Sequence, residues 1–437
     1  MSDTLQRRAA PRAWLTVLIL ASLTMVGPFT IDTIFPAFPA IERDFAVDAV
    51  AMQQSISVYL LTLGVMSLLH GPVSDAVGRK PVIIAGMLLY AVASVVCALA
   101  PSLPVLLLGR ALQGLCAGAG TIVGRTVVRD LFHGEHAQRV MAQISMIFAV
   151  APAAAPIFGG WLLGIAHWRM IFWSLTIMAV LLALSTAVAL PETHPAGVRS
   201  PLRLGALGTA VLESARDRSV QRLVAVASFN FAALFTYISA APAIVVTHLG
   251  LGAQDFGWLF VPIVIAMMTG SWLTGRLAGT LTSDRFLAIG FGLSTMGALV
   301  GLLVEVSPLP RFPWILVGPM LTGLGIALVF PIATLLLLDL SSTRRGTLST
   351  LQAFASTLLN AVLAGVIVPI VATRLETLSL TALGFSALGW LTWRQHVRRR
   401  GAPPAQRPLG TDDRPSLPRG REDDGGASVD VGGGADP

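Results

Sequence analysis

The chain predicts an all-α membrane protein of twelve transmembrane helices arranged as two pseudo-symmetric halves of six. Three observations carry this expectation. Hydrophobic residues make up 54% of the 437 residues and charged ones only 12%, with a mean hydropathy of +0.75, whereas a soluble domain carries about a quarter charged residues. Apolar runs of 18 or more residues recur along the chain, long enough to cross the hydrocarbon core as helices. The runs also repeat: Gly109, Gly114 and Asp130 are matched 209 residues later by Gly318, Gly323 and Asp339, the weak internal symmetry of two repeats related by an axis along the membrane normal.

Span 1 is expected over 13–38, after a basic start at Arg7, Arg8 and Arg12. It is too long for a signal-peptide core and lacks a clear small-residue cleavage site, so it is expected to be retained. Spans 2 and 3, over 50–70 and 82–100, flank Gly71–Pro81, a glycine-punctuated stretch with one acid and two bases. That stretch is too polar for hydrocarbon and reads as a tight loop. Spans 4, 5 and 6 over 104–128, 140–164 and 168–190 complete an N-terminal half, residues 1–190. Residues 191–221 begin Pro191-Glu192-Thr193 and mix charges with proline and glycine, and they read as a linker. The C-terminal half, 222–394, holds spans over 222–246, 256–278, 285–304, 313–337, 345–373 and 376–394. Residues 395–437 are rich in Gly, Pro, Asp and Arg; they bury too little apolar surface to fold and are expected to form a disordered tail.

Lysine and arginine set the orientation. With the N-terminus on the cytoplasmic side, the inner segments hold 21 of these residues and the outer ones 4, so both termini are expected to be cytoplasmic. The net charge of +7 is thereby a topology signal. Its spread over seven segments excludes a nucleic-acid surface, and no nucleic-acid partner is expected. Cys97 and Cys116 fall in apolar spans and read as buried free thiols. No metal-ligand spacing, nucleotide loop or cofactor motif is present, so neither a metal, a cofactor nor ATP drive is expected.

Charge inside the spans is scarce and therefore informative, because a cation at a helix centre costs at least about 2.5–3.5 kcal/mol. Arg110 lies in span 4, and Asp32 is the only acid well inside a span. Both sit about six residues, or 9 Å, from the outer end of their helices. Matched depth makes an ion pair geometrically feasible. The functional reading is a protonatable Asp32 in a central cavity with Arg110 as its charge partner. A static packing pair and a solvated interfacial Asp32 stay open beside it. At the position matching Arg110 the C-terminal half has Pro319, so charge chemistry is assigned to the N-terminal half. In the loop, Asp75 is in reach of Arg129 or of the span 11 N-terminus near Arg345, and a solvated turn is the alternative. Pro152 and Pro156, with Gly159 and Gly160, remove backbone donors and offer a small-residue face, which reads as a kinked seam or as ordinary packing. Polar mid-span residues that could line a cavity, or merely bond helix to helix, are Tyr59, Gln113, Gln143, Asn230, Tyr237, Gln352 and Asn360.

Several segments resemble one family. Gly71-x-x-x-Asp75-x-x-Gly78-Arg79-Lys80 is similar to the signature loop of the major facilitator superfamily. Asp32-x-x-x-Pro36-x-x-Pro39-x-Ile41, Arg110-Ala111-Leu112-Gln113-Gly114 with Arg129-Asp130-Leu131-Phe132, and Ala155-Pro156-x-x-Gly159-Gly160 resemble motifs of its Bcr/CflA (bicyclomycin-resistance-type) drug:proton antiporters. The resemblance covers about residues 14–394. It implies the major facilitator fold in a bacterial inner membrane, acting as a monomer. It implies export of a small lipophilic or weakly cationic molecule in exchange for protons, with Gly71, Asp75, Gly78, Arg79 and Arg129 as a conformational latch. Departures are Ala155, where the family usually has glycine, and Thr24, where some multidrug exporters carry a second acid. Rival readings are proton-coupled transport of one metabolite and a non-transporting receptor or scaffold; no enzyme is expected.

Overall fold

The computed structural model describes residues 10–307, 311–341 and 343–400. Among them, eleven helices are long and apolar enough to cross a membrane: α1 (Trp14–Phe45), α2 (Ala49–Val77), α3 (Arg79–Ala98), α4 (Leu103–Leu131), α5 (Arg139–Ile165), α6 (Arg169–Ala189), α7 (Arg218–Ser239), α8 (Gly257–Leu277), α9 (Ser283–Glu305), α10 (Phe312–Leu338) and α11 (Arg345–Val371). The expected twelfth helix, α12, is present as Leu375–Arg400. It is less apolar than the others because Thr377, Ser379, Thr381, Ser386 and Thr392 interrupt its leucines. Ser379, Ser386 and His396 are buried, so part of its polar content turns inward. The expected tail therefore begins later than residue 395, since the helix continues to Arg400; residues 401–437 lie outside the described residues.

Local chemistry sets the helix ends. Asp48 caps α2 by accepting from the Ala51 N–H at 2.8 Å, and Asp217 caps α7 through Ser219 at 2.7 Å, each satisfying a donor the helix leaves open. Within α1, Pro36 and Pro39 lack N–H groups, and the chain passes through a 3₁₀ turn, Phe35–Ala37, before resuming as Phe38–Phe45. Wider turns replace regular helix at Ala119–Val123 in α4 and Leu363–Ile367 in α11. The linker holds a helix of its own, Leu204–Arg216, which salt-bridges to the start of α11 through Glu213 and Arg344 at 3.4 Å.

The Gly71–Pro81 stretch is not a loop. Helix α2 runs through Gly71 and Pro72 to Val77, α3 starts at Arg79, and Gly78 alone breaks the helix, with φ +113°. That conformation is open to glycine and strained for other residues. A Cβ there would also press on Glu192 and Arg199. The polar content marks where the helices leave hydrocarbon, not where they end.

The face that carries Gly78 and the linker is called the linker face, and the opposite one the far face. One buried cluster joins the halves, with Phe35 and Tyr59 from the first and Phe235 and Phe260 from the second. A second cluster, including Val220, Leu223, Phe286 and Leu348, belongs to the second half and the linker face. Trp161, Trp258 and Trp314 are exposed near the far face, and Trp14 and Trp272 towards the linker face, as interfacial aromatic girdles are. With no hydrophobic drive between helices in lipid, close packing and hydrogen bonds hold the bundle together.

Candidate transport site

Arg110 is completely buried in the first half. Its Nε donates to the Ser55 carbonyl of α2 at 3.2 Å, and one terminal nitrogen donates to the Thr30 carbonyl of α1 at 3.3 Å and to Gln113 Oε1 at 2.9 Å. The guanidinium carbon lies 4.7 Å from the centre of the Tyr59 ring, a cation–π distance. Gln113 Nε2 donates to Ser94 Oγ of α3 at 2.8 Å. Thr30 Oγ1 and Tyr90 OH share a 2.5 Å hydrogen bond, and Tyr59 OH donates to the Gly27 carbonyl at 3.2 Å. One cation thus ties together four helices. Its other terminal nitrogen is buried without a hydrogen-bond partner.

Asp32 does not pair with Arg110. No ion pair joins them among the described residues, and the cation is taken up by carbonyl, amide and ring. The reason is helical phase. Thr30 is the residue that faces the cluster, and two residues further on the chain has turned about 200°. Asp32 ends the regular part of α1 just before the Phe35–Ala37 turn. It is 3% exposed and lies within electrostatic reach of Tyr59.

The latch residues assemble, but differently from expectation. Asp75 binds Arg79 at 2.5 Å and not Arg129. Arg79 also donates to Ser74 Oγ at 2.5 Å and from Nε to Asp130 at 3.3 Å. Asp130, one residue beyond Arg129, is the α4 residue turned towards α3. The linker straps this corner. Glu192 accepts from the N–H groups of Arg79 and Lys80 at 3.1 and 3.2 Å, capping α3. Thr193 donates to Asp130 at 2.9 Å, and the Ser200 N–H donates to the Asp75 carbonyl at 3.2 Å. These partners are all in the first half and the linker, and none is on α11. Gly71 is simply a helical residue of α2 with open space around it.

Pro152 and Pro156 sit inside a continuous helix, Gly134–Ile165. Gly159 and Gly160 form the seam: a Cβ on Gly159 would overlap the Thr33 carbonyl of α1, and one on Gly160 the Ala253 carbonyl before α8. Further contacts between the halves lie near the same face. Gln53 donates to Ser239 O at 2.9 Å and Oγ at 2.6 Å, Gln54 to Gly365 O at 2.8 Å, and Ser57 to Ala361 O at 2.8 Å. Phe35 stacks on Phe260 with centroids 6.2 Å apart. These hydrogen bonds between the halves all lie in the far part of the molecule.

The seven expected cavity residues do not line one surface. Tyr59 and Gln113 belong to the Arg110 cluster. Gln143 is exposed near the linker end of α5. Gln352 donates to Thr334 of α10 at 2.8 Å. Asn230 is fully buried with both side-chain polar atoms unpartnered, and Asn360 Oδ1 and Gln352 Oε1 are likewise unpartnered. Tyr237 borders a small pocket with Gly301, Glu305, Pro319 and Ser379.

The sequence model of the Major Facilitator Superfamily matches residues 20–404. The chain belongs to the major facilitator superfamily. The uncharacterized MFS-type transporter YdgK of Bacillus subtilis is 35% identical over 273 residues, 62% of this chain and 68% of that one. A bicyclomycin resistance protein homologue of Haemophilus influenzae is 28% identical over 297 residues, 68% and 75% of the two chains. In fold, the chain is similar to a bacterial homologue of the human lysosomal transporter Spinster, crystallised inward-facing and unoccupied, with TM-score 0.67 and 15% identity over 90% of this chain and 99% of that one.

Within this major facilitator protein, sequence reasoning missed Thr30, Ser94, Tyr90, Asp130 and Glu192. The first three are neutral and resemble any helix-packing residue. Asp130 and Glu192 appeared only as neighbours of a motif.

Proposed function

We propose that the protein exports small lipophilic or weakly cationic compounds in exchange for protons, by alternating access of the two halves about a cavity between them. Asp32 is the proton-binding residue, and Arg110 keeps the surrounding helices in place. The observation that carries this is Asp32 itself: a buried carboxylate, at a break in α1, that the neighbouring cation does not neutralise. Ionised, such a group carries a desolvation cost of several kcal/mol, and binding a proton or a cationic cargo removes it.

The excess of lysine and arginine on the linker face makes that face cytoplasmic and supports residence in a bacterial inner membrane with both termini inside. Closure by α2, α7 and α11 at the far face then corresponds to an inward-facing state. The Gly159–Gly160 seam is the pivot. The corner of Gly78, Asp75, Arg79 and Asp130 is the latch of the first half, and it meets α11 only when the inner side closes. Asn230, Gln352 and Asn360, whose buried side-chain atoms lack partners, are the neutral hydrogen-bonding groups available to the cargo. The scarcity of further charge favours neutral or singly cationic molecules. The protein acts as a monomer and performs no bond chemistry.

The test is a compound screen in a host stripped of its own exporters, followed by proton flux in vesicles. Drug-driven proton movement that disappears in Asp32→Asn is the expected result. Full coupling in that variant refutes the assignment, and inward accumulation of a single metabolite would replace export by uptake.

A further inference from the structure

The linker between the halves carries a surface that the transport site does not use. From Val198 to Arg222 the chain has five arginines, Arg199, Arg203, Arg216, Arg218 and Arg222, against two acids, Glu213 and Asp217. Both acids are already engaged. Glu213 pairs with Arg344 at 3.4 Å, and Asp217 accepts from the Ser219 and Val220 N–H groups that open α7. Among the described residues, Arg203, Arg216, Arg218 and Arg222 make no ion pair. The tendency of cytoplasmic segments to carry lysine and arginine accounts for such arginines. It does not account for the apolar side chains set among them: Val198 is 59% exposed, Leu202 43% and Leu212 52%.

The helix Leu204–Arg216 presents part of this surface. Leu207, Ala210, Val211, Ser214 and Ala215 are wholly or partly buried, and Val211 and Ala215 pack on the buried cluster of the second half. At about 100° per residue, Gly205, Gly208, Thr209, Leu212 and Arg216 fall on the opposite face, and all five are exposed. That face has no acid and, Arg216 apart, no charge. A helix that faces water turns its charged residues outward. An exposed leucine flanked by arginines instead suits a helix lying in the headgroup layer of a bilayer. The helix is also firmly mounted. Gln221 of α7 donates from Nε2 back to the Ala215 carbonyl at 2.7 Å, and Asp217 alone separates the two helices.

We propose that the linker is a docking surface for anionic phospholipid headgroups, with Val198, Leu202 and Leu212 set into the edge of the acyl region and Arg203, Arg216 and Arg218 on the phosphates. Charge complementarity selects the occupant. A zwitterionic lipid would cover the three apolar side chains but leave the arginines without a counter-charge. An acidic protein would answer the arginines but leave the apolar side chains without a hydrocarbon partner. Only a headgroup layer of negative charge over acyl chains matches both. Through Glu213 on Arg344 and through the junction at Asp217, lipid bound here steadies the linker ends of α11 and α7. Headgroup charge thereby becomes an input to the second half. The cytoplasmic reading of the linker face enters only in deciding which leaflet supplies the lipid.

Hydrogen exchange of the full-length protein in nanodiscs tests this with neither cargo nor a proton gradient. Discs of phosphatidylcholine alone are compared with discs that also contain phosphatidylglycerol. The amides of Leu204–Arg216 are expected to exchange about tenfold more slowly when phosphatidylglycerol is present, and high salt should remove the difference. Arg203→Gln, Arg216→Gln and Arg218→Gln together should abolish the slowing while leaving exchange in phosphatidylcholine unchanged. Arginines that merely held the helix in place would raise exchange in both lipids when replaced, which counts against the proposal. Equal exchange of the wild-type protein in the two lipids overturns it with no variant needed. So does slowing that survives the triple substitution, or slowing reproduced by inorganic phosphate in phosphatidylcholine discs, which would mark a plain anion site. A protein that does not couple cargo to protons would still pass this test, so the two readings fail separately.

Discussion

The two halves contain the same joint and use it differently. Gly109 lets α4 rest on the backbone of α3 at Ala93 and Cys97, and Gly318 lets α10 rest on α9 at Gly297 in the same way. One residue further on, the first half has Arg110 and the second Pro319. Around Arg110, four helices are knotted by hydrogen bonds. Around Pro319 there is a small pocket bordered by Tyr237, Gly301 and Ser379. The repeat has kept its packing surfaces and given up its chemistry on one side. A rocking pair needs matched shapes for both halves but ionisable groups in only one.

The sharpest way to break this comparison is Asp32→Asn. Proton-coupled export should be lost, with expression and melting temperature unchanged; vesicle proton flux and a detergent melt measure both. Arg110→Ala should be the largest stability change. It strands the Thr30 and Ser55 carbonyls and Gln113 in the core, at a cost of about 3–5 kcal/mol, and Arg110→Lys should cost less because one ammonium still reaches an acceptor. Pro319→Ala should shift stability by under about 1 kcal/mol. Equal losses at the two positions would end the asymmetry. A double-mutant cycle between Asp32→Asn and Arg110→Ala should be additive to about 0.5 kcal/mol, because the two do not touch; strong coupling would reveal a pair formed in another state. Gly160→Val should reduce transport at least tenfold through its clash with the Ala253 carbonyl, read as drug efflux from loaded cells. The smallest effect belongs to Glu192→Gln. It weakens one helix cap by about 1 kcal/mol and should raise thiol labelling at the linker ends of α2 and α3.

How much of this was readable beforehand depended on distance along the chain. Arg110, Asp32 and Gly78 were legible because charge in an apolar run and glycine at a break are local signals. Asp32 and Arg110 as partners were not: matched depth says nothing of angle about the helix axis, and two residues of phase send Asp32 elsewhere. The junction of α2 and α3 was mistaken for a loop because polarity marks the membrane surface, whereas only φ and hydrogen bonding mark the end of a helix. The strap by Glu192 and Thr193 joins residues more than sixty positions apart. The wide turn in α4 packs closely through Gly118 and Gly120 against His70 and Leu23, and it has no sequence signature of its own. Eleven of the twelve expected spans needed only hydropathy, whereas α12 is a helix whose apolar character falls short of the other eleven.

The far-face contacts have a consequence for how such a protein changes over generations. Gln53, Gln54 and Ser57 reach across to the oxygens of Ser239, Gly365 and Ala361, and these are main-chain atoms. No point mutation in α7 or α11 deletes a carbonyl. The second half can therefore exchange side chains along those helices while the far-face contacts keep the same main-chain handholds. Specificity is free to drift on one side because most of the closing hydrogen bonds there fall on main-chain oxygens, the Ser239 hydroxyl being the side-chain exception.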